Sequence, residues 1–199
     1  MKKMGVAVLL IGVIGVLAAM FPGCGGYKEG PVRFTTLRSE YKTLSDSDVI
    51  SMLKSRGFFD KRWNKSHKFT NQLELKAVED QKIVIDHATG LAWMQAGSDT
   101  PIPYSEAALW IKNINQKGFA GYVNWRLPTL EEAASLLEQK KINYRYIDPL
   151  FSSLQHSIHT GDNYSDTRIW GVSYQYGGSF RVGIMEPNYV RAVTKFTGN

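Results

Sequence analysis

The sequence predicts an α+β fold in which two helices accompany small antiparallel sheets. Apolar and polar residues alternate on both sides of a turn at 87–90, which is typical of a β-hairpin. Two later segments place apolar residues at helical spacing, and residues 168–196 contain short strand-like runs separated by turns. With 199 residues, of which 43% are apolar and 12% aromatic, the chain can form one main domain and a small appendage.

Residues 1–23 are predicted to be an export signal. Two lysines precede an apolar run at 6–20, which is shorter than the roughly 20 residues of a membrane-spanning helix. Cys24 follows, and as the only cysteine of the chain it cannot form an internal disulfide. The segment resembles a bacterial lipoprotein signal, in which this cysteine becomes the acylated first residue. Ordinary secretory cleavage and an uncleaved anchor helix are the alternatives.

The lipoprotein resemblance implies a protein of the bacterial cell envelope, held on the membrane by its N-terminal lipid. Gly25 occupies the position where an Asp usually signals inner-membrane retention, so we expect the outer membrane. Without residues 1–23 the formal net charge falls from +6 to +4, because Lys2 and Lys3 are removed. This mild positive charge is compatible with an anionic partner but does not identify it.

Two segments are expected to precede the main domain. Residues 24–44 mix Gly, Pro and charged residues without apolar periodicity, and they are predicted to be a tether. Residues 45–80 are predicted to be a short helical extension, since Ser45 can cap a helix and Gly57 stands where a left-handed C-terminal cap is expected. The main domain is predicted to occupy residues 81–197.

The main domain begins with the hairpin, whose strands are expected at 83–94. A helix is predicted to start near Ser105 and to be closed by Gly118. The next helix follows Thr129, whose hydroxyl is expected to form a capping box with Glu132.

The rest of the domain is predicted from turns. Residues 143–166 are expected to be loop-rich, since they show no sustained period. Beyond them, short turns separate three strand-like runs, so neighbouring strands should pair as hairpins. These strands are expected at 168–174, 179–185 and 189–196.

Several motifs occur in an order that resembles a known family. The hairpin contains Ala-Thr-Gly-Leu-x-Trp, residues 125–129 read Trp-Arg-Leu-Pro-Thr, and residues 189–193 read Tyr-Val-Arg-Ala-Val. Over about residues 81–196 the chain resembles the Lcl C-terminal domain family, and the motif at 125–129 is its most specific part. The residues assigned a structural role by this resemblance are Trp93, Trp125, Arg126, Pro128, Thr129, Glu132 and Arg191.

The resemblance implies a C-type-lectin-like fold, which is also related to formylglycine-generating enzymes. For an adhesin of the family it implies binding of sulfated glycosaminoglycans. Formylglycine-generating chemistry needs cysteines, and this chain has only Cys24. The sequence also lacks a nucleophile elbow and a phosphate-binding glycine loop. We therefore expect a protein that is not an enzyme.

Basic residues concentrate in two segments, 61–68 and 140–145, and the first also contains Trp63. Such segments suit contact with an anionic polymer or a membrane surface. Solvated faces of ordinary helices and strands have the same composition, so a structural interpretation stays open. The basic candidates for ligand binding are Lys61, Arg62, Lys65, Lys68, Lys140, Lys141 and Arg145.

Tyrosines fall in the C-terminal loops and strand ends, where aromatic rings can stack against sugar faces. Tyrosines are also common at half-exposed sheet edges, so this signal has a structural alternative too. Tyr144 and Tyr164 are the candidates for ligand contact. The other tyrosines of this region are Tyr146, Tyr174, Tyr176 and Tyr189.

Two arginines and one acidic loop have competing interpretations. Arg126 is interpreted as a structural anchor rather than a ligand-binding guanidinium. Arg191 is expected to form an ion pair with Glu132 or Asp86. The acidic loop has two interpretations, a calcium site, because carboxylate and amide oxygens suit this ion, and a polar surface loop, which has the same composition. Its ligands would be Asp162, Asn163 and Asp166.

The predicted function is that of a lipid-anchored envelope protein with a non-catalytic binding domain. The expected ligand is a glycan or another anionic surface polymer. The first alternative is a structural accessory subunit of a cell-surface protein complex, and the second is an enzyme that uses the loop at 162–166 with calcium. We expect no nucleic-acid partner and no cofactor.

Overall fold

The computed structural model describes residues 35–198 and contains three α-helices in that part of the chain: α1 (Asp46–Arg56), α2 (Tyr104–Gln116) and α3 (Leu130–Ser135). Both ends of α1 follow the predicted caps. Ser45 and Asp48 form a reciprocal capping box, and Gly57 takes φ +70° at the C-terminal end. The predicted signal peptide and Cys24 lie outside the described residues.

The capping box predicted for α3 is confirmed. The Glu132 backbone N–H donates to Thr129 Oγ1 at 3.1 Å, and the Thr129 N–H donates to Glu132 Oε2 at 2.8 Å. Every residue of this short helix is buried. The helix is therefore held by its cap and by packing, because six residues are too few for stability by helix propensity alone.

Seven strands form two antiparallel sheets among the described residues. One sheet has the order β1-β2-β3-β7, and the other has the order β4-β5-β6. The predicted α+β class with antiparallel sheets is confirmed. The strands are β1 (Leu73–Val78), β2 (Gln81–Asp86), β3 (Leu91–Met94), β4 (Ser157–Ser165), β5 (Arg168–Ser173), β6 (Gly178–Gly183) and β7 (Val193–Lys195).

The main core joins the first helix to both sheets. Val49 and Leu53 of α1 are fully buried in the same cluster as Trp93 of β3, Trp170 of β5 and Leu130 of α3. Large buried side chains of this kind each contribute about 1.5–3 kcal/mol. The helix that was predicted to belong to an N-terminal extension is thus part of the central packing.

The segment 45–80 also supplies a strand that the sequence did not predict. β1 pairs along its whole length with β2, from Leu73 opposite Asp86 to Val78 opposite Gln81, and forms the edge of the four-stranded sheet. The described residues belong to one compact unit. No helix in this described part of the chain is both long enough and apolar enough to span a membrane.

The end of the predicted tether packs onto the domain. We call residues 35–44 the N-terminal strap. Arg38 donates to both carboxylate oxygens of Asp162, at 2.8 and 2.6 Å, and the Leu44 N–H donates to the Asn163 carbonyl at 2.9 Å. The tether prediction is therefore wrong for these residues, because ionic and backbone contacts leave no apolar period in the sequence.

β4 lies within the segment that was expected to be loop-rich, residues 143–166. Its interior is largely polar, with His159, Thr160 and Asp162 fully buried. A polar strand of this kind does not show the apolar alternation from which strands are predicted. His159 Nε2 and the Asp162 carboxylate find partners in distant parts of the chain, and Thr160 Oγ1 donates to the Trp170 carbonyl of the neighbouring strand.

Candidate ligand-binding groove

A groove of about 600 Å³ opens between the turn that follows α1 and the hairpin that joins β5 to β6. Its walls come from residues 60–62, 156–157, 173 and 175–180. This volume falls within the usual range of small-molecule sites. Lys61 and Arg62, two of the predicted ligand-binding residues, lie in one wall.

Asp60 holds the two sides of the groove together. It is fully buried, and its carboxylate accepts hydrogen bonds from the backbone N–H groups of Arg62 at 2.9 Å, Trp63 at 3.1 Å and Ser179 at 2.7 Å. The Lys61 N–H also donates to a carbonyl of the opposite hairpin at 2.8 Å. Asp60 therefore positions the neighbouring cationic side chains without offering a free carboxylate to a ligand.

The hairpin wall requires glycine at two positions. Gly177 takes φ +79°, and a Cβ there would lie 2.8 Å from the ring of Tyr146. A Cβ on Gly178 would lie 3.0 Å from a carboxylate oxygen of Asp60. The side chain that precedes these glycines, Tyr176, has an exposed fraction of 73%.

Tyr146 brings the two basic segments together. Lys61 Nζ lies 5.9 Å from the centroid of its ring and Lys141 Nζ lies 5.4 Å from it, so the two charges are at most 11.3 Å apart, the total of those distances. Within residues 35–198, no carboxylate lies within 4.0 Å of either lysine. We call Lys61, Arg62 and Lys141 the basic cluster.

The arrangement can bind an anion by charge. An ammonium group over an aromatic ring is held by cation–π attraction, which fixes its position but does not neutralise it. Arg62 is held in the same way, with its guanidinium 5.2 Å from the Trp63 ring. The basic cluster therefore presents three ordered positive charges beside an open groove.

The sequence profile of the Lcl C-terminal domain matches residues 82–194, which is more than half of the chain. The chain belongs to this family. No curated protein matches it. The groove of this Lcl C-terminal domain includes residues 60–62, which precede the matched region.

Arg145 lies near the groove but its side chain folds back onto the domain. The guanidinium donates to the carbonyls of Tyr144 and Ser153 at 3.4 and 3.5 Å. In the groove wall, partial burial lowers the pKa of His156, and the charge of Arg145 lowers it further. His156 is therefore neutral at pH 7 and does not add to the positive charge of the basic cluster.

The remaining basic candidates do not line the groove. Lys65, Lys68 and Lys140 are exposed on its flank. The Gln139 side chain donates to the Lys65 carbonyl at 2.9 Å, so the two basic segments are adjacent along more of their length. These lysines extend the positive surface without contributing to the walls of the groove.

Tyr144 and Tyr164 differ in their accessibility. Tyr144 has an exposed fraction of 84% and lies beside the basic cluster in sequence. Tyr164 is half-buried, with the Arg181 guanidinium 4.6 Å from its ring centroid and the Trp170 ring perpendicular to it at a centroid distance of 5.7 Å. Because this arginine occupies its face, Tyr164 is not the open platform for a sugar that the sequence predicted. The Tyr176 side chain in the groove wall is more accessible, with an exposed fraction of 73%.

Sequence reasoning missed several groove residues. Asp60, Ser179 and Phe180 line it, and none was a candidate. Asp60 could have been recognised from the sequence, because Asp is common in turns, where its side chain accepts a hydrogen bond from the backbone N–H two residues later. Ser179 and Phe180 sit in a strand pattern that carries no sign of a groove.

Arg126 of the Lcl C-terminal domain pairs with the buried Glu132. Its guanidinium donates to Glu132 Oε2 at 2.7 Å and to Oε1 at 2.6 Å, and it also donates to the Leu127 carbonyl at 3.0 Å. Glu132 is fully buried and also caps α3. The pair fixes the entry of this helix against the rest of the domain, and Arg126 is not part of the groove.

The ion pair expected for Arg191 is absent. Arg126 occupies Glu132, and the Asp86 carboxylate accepts from Asn71 and Thr89 side chains at 2.9 and 2.7 Å. Arg191 is instead fully buried with its guanidinium 4.9 Å from the Phe151 ring, and burial lowers its pKa to about 10. The sequence prediction is wrong because a buried arginine can be held by aromatic faces and carbonyl oxygens.

The loop considered for calcium does not form a cation site. Both carboxylate oxygens of Asp162 accept from Arg38, and they also accept from the backbone N–H groups of Lys42 and Leu130. The Asn163 N–H donates to the strap, and Asp166 is exposed. In residues 35–198 no group of three His, Cys, Asp or Glu side chains could hold a metal.

Proposed function

We propose that this chain is a lipid-anchored bacterial envelope protein whose Lcl C-terminal domain binds a glycan or another anionic surface polymer without catalysis. The observation that carries the proposal is the pair of lysines, Lys61 and Lys141, on one tyrosine ring. They come from segments 80 residues apart in sequence, and the fold places them together without a nearby carboxylate.

The physical basis of the proposed binding is that, among the described residues, no carboxylate forms an ion pair with Lys61 or Lys141. Each exposed ion pair contributes only about 0.2–1 kcal/mol, so a single acidic group would bind weakly. A polymer with repeated acidic groups engages several cations at once, and linked contacts strengthen one another through effective concentration. The exposed rings of Tyr144 and Tyr176 are available for stacking on sugar rings.

The polymer-binding part is tested by retention of the full chain, in a neutral detergent, on immobilised heparin as a sulfated glycan. Replacing Lys61→Gln and Lys141→Gln together is expected to lower the salt concentration at which the protein elutes. The matched control replaces two exposed lysines at α2, Lys112→Gln and Lys117→Gln. These replacements remove the same total charge as the Lys61 and Lys141 replacements. This control should elute close to the unmodified chain.

Equal elution of the two double variants would show that net charge, not the basic cluster, sets retention. Absence of retention at low salt would contradict polymer binding and favour the accessory-subunit alternative. Co-purification of a stoichiometric envelope protein from detergent extracts would then support that alternative.

The envelope part of the proposal rests on residues 1–23 and Cys24. Cells given a labelled fatty acid should incorporate it into the unmodified chain and not into a Cys24→Ala variant. The labelled protein should fractionate with outer membranes. Labelling that persists in the variant, or a soluble unlabelled wild-type protein, would contradict the anchor.

A further inference from the structure

We infer that the groove beside the basic cluster takes an anionic amphiphile, a small molecule or substituent that joins one acidic group to an apolar chain or ring. The inference rests on the proposed function in one respect, since Lys61 and Arg62 receive an anion in both. It goes beyond that function because a ligand bound by charge alone would make no contact with the walls of the groove.

The walls are chiefly apolar. The surface that faces the groove consists mainly of carbon, to which the Tyr176 and Phe180 rings and the backbone of Gly177 and Gly178 contribute. A polymer that bound only through its charges would leave this surface in contact with water. An apolar moiety that entered the groove would displace that water, and burial of apolar surface is favourable.

The sign of the head group follows from the charges at the rim. Asp60 is fully buried and its carboxylate oxygens already accept three backbone hydrogen bonds, so they are not available as partners for a cationic head group. Lys61 and Arg62 lie in the wall with their charges unpaired by carboxylates. Charge complementarity therefore selects a carboxylate, phosphate or sulfate head over a cationic one.

One polar atom in the wall has no partner. Ser179 has an exposed fraction of 9%, and its Oγ makes no hydrogen bond although its backbone N–H donates to Asp60. Unpartnered buried hydroxyl groups are uncommon in folded proteins. Ser179 is one of the residues that line the groove, and a rotation of its side chain towards the groove would let the hydroxyl donate to an oxygen of the bound acid.

The groove is held open by the fold itself. The bonds to Asp60 join its two sides, and the close contact of Gly177 with the Tyr146 ring fixes the hairpin wall. A ligand would meet a formed surface and would not have to order a loop. Preformed sites of this kind lose less affinity to conformational entropy.

The test is a chain-length series of carboxylates, measured by isothermal titration with the full chain in neutral detergent and corrected by titration into detergent alone. Butanoate, hexanoate and octanoate differ only in methylene count. Each buried methylene strengthens binding about fourfold, so octanoate should bind at least tenfold more tightly than butanoate. Octylammonium, which has the same chain and the opposite charge, should bind at least tenfold more weakly than octanoate.

Variants distinguish the contribution of the apolar wall from that of the cationic side chains. Tyr176→Ser should weaken octanoate several-fold and leave butanoate unchanged, whereas Lys61→Gln with Arg62→Gln should weaken both acids. Val123→Ser is the control, since it removes an apolar side chain of similar exposure, 70%, outside the groove, and it should change neither affinity.

Equal affinities for butanoate and octanoate, or for octanoate and octylammonium, would overturn the inference. Tighter binding of a sugar acid such as galacturonate than of octanoate would also overturn it, since the groove would then select a polar ring. Retention on heparin without octanoate binding would refute this inference alone. Absence of both heparin retention and octanoate binding would refute the proposed function as well.

Discussion

Tyr144 is held in a backbone conformation that tyrosine disfavours. It takes φ +67° after Asn143 at φ +49°, and Ile142 and Arg145 exchange both backbone hydrogen bonds around them. These features define a type I′ turn, in which glycine is preferred at the second central position. The ring of Tyr144 is 84% exposed, so packing does not compensate for the strain. Strain of this kind concentrates where a side chain has a functional role.

Replacing Tyr144→Gly is expected to raise the free energy of unfolding by about 1 kcal/mol, because glycine adopts positive φ without a Cβ penalty. Chemical denaturation of the full chain in neutral detergent measures the change. Tyr176→Gly is the control, since Tyr176 is also exposed but is not among the residues with positive φ. It should lower stability, so a decrease of similar size in both variants would contradict strain at Tyr144.

At the scale of elements, β4 carries a buried histidine. His159 is fully buried, its Nε2 lies 2.9 Å from the Ile102 carbonyl oxygen, and burial lowers its pKa below the ordinary value of 6.5. The unfolded chain therefore binds a proton at this residue at higher pH than the folded chain does. The contribution of the neutral His159 ring to the free energy of unfolding is therefore fully present above pH 6.5, and it is lost as the pH falls below that value.

The predicted outcome is a thermal midpoint that falls between pH 7.5 and pH 5.5, with a smaller fall in His159→Gln, whose side chain does not titrate. Thermal unfolding followed by circular dichroism at both pH values measures the two differences. His156, whose pKa is also lowered, is present in both proteins and does not affect the comparison. A fall of the same size in both would show that His159 does not contribute.

The elements predicted correctly are those with local signals. The caps at Ser45, Gly57 and Thr129 can be read within a few residues, and the hairpin around 87–90 follows from alternation. β4 was missed because its buried groups are polar and their partners are remote. The Arg38–Asp162 pair, for example, joins residues 124 positions apart.

The candidate site, like the fold, was predictable only where its signals are local in the sequence. Basic composition identified Lys61 and Lys141, because charged residues cluster visibly in the sequence. Their joint position depends on Tyr146 and on Asp60, whose roles exist only once distant segments meet. A single sequence contains no signal for such long-range contacts, so the groove itself was not predicted.

At the scale of the whole domain, the N-terminal strap is fastened by a buried ion pair. Arg38 donates to both oxygens of Asp162, and the Arg38 carbonyl accepts from Thr129 Oγ1 at 2.9 Å. The Tyr41 ring also fills the space against Gly161, where a Cβ would lie 2.2 Å from it. The folded unit therefore includes the strap, which lies upstream of the helix predicted from residue 45.

Replacing Arg38→Ala is expected to lower the free energy of unfolding by about 3–5 kcal/mol, since it leaves the fully buried Asp162 without its counter-ion. The thermal midpoint should fall by roughly 10 °C. Glu74→Ala is the control, because its contact with His87 at 2.7 Å joins side chains that are 56% and 41% exposed. This change should cost at most about 1 kcal/mol, and equal losses would contradict the role of the strap.

The central claim, that the basic cluster is the anion-binding surface, is tested most directly by nuclear magnetic resonance. An acidic oligosaccharide, such as a short heparin fragment, is titrated into the isotopically labelled full chain in neutral detergent. The account predicts that the largest backbone shift changes fall at residues 60–63, 140–146 and 175–180. Changes concentrated on α2, or spread evenly over the surface, would contradict it.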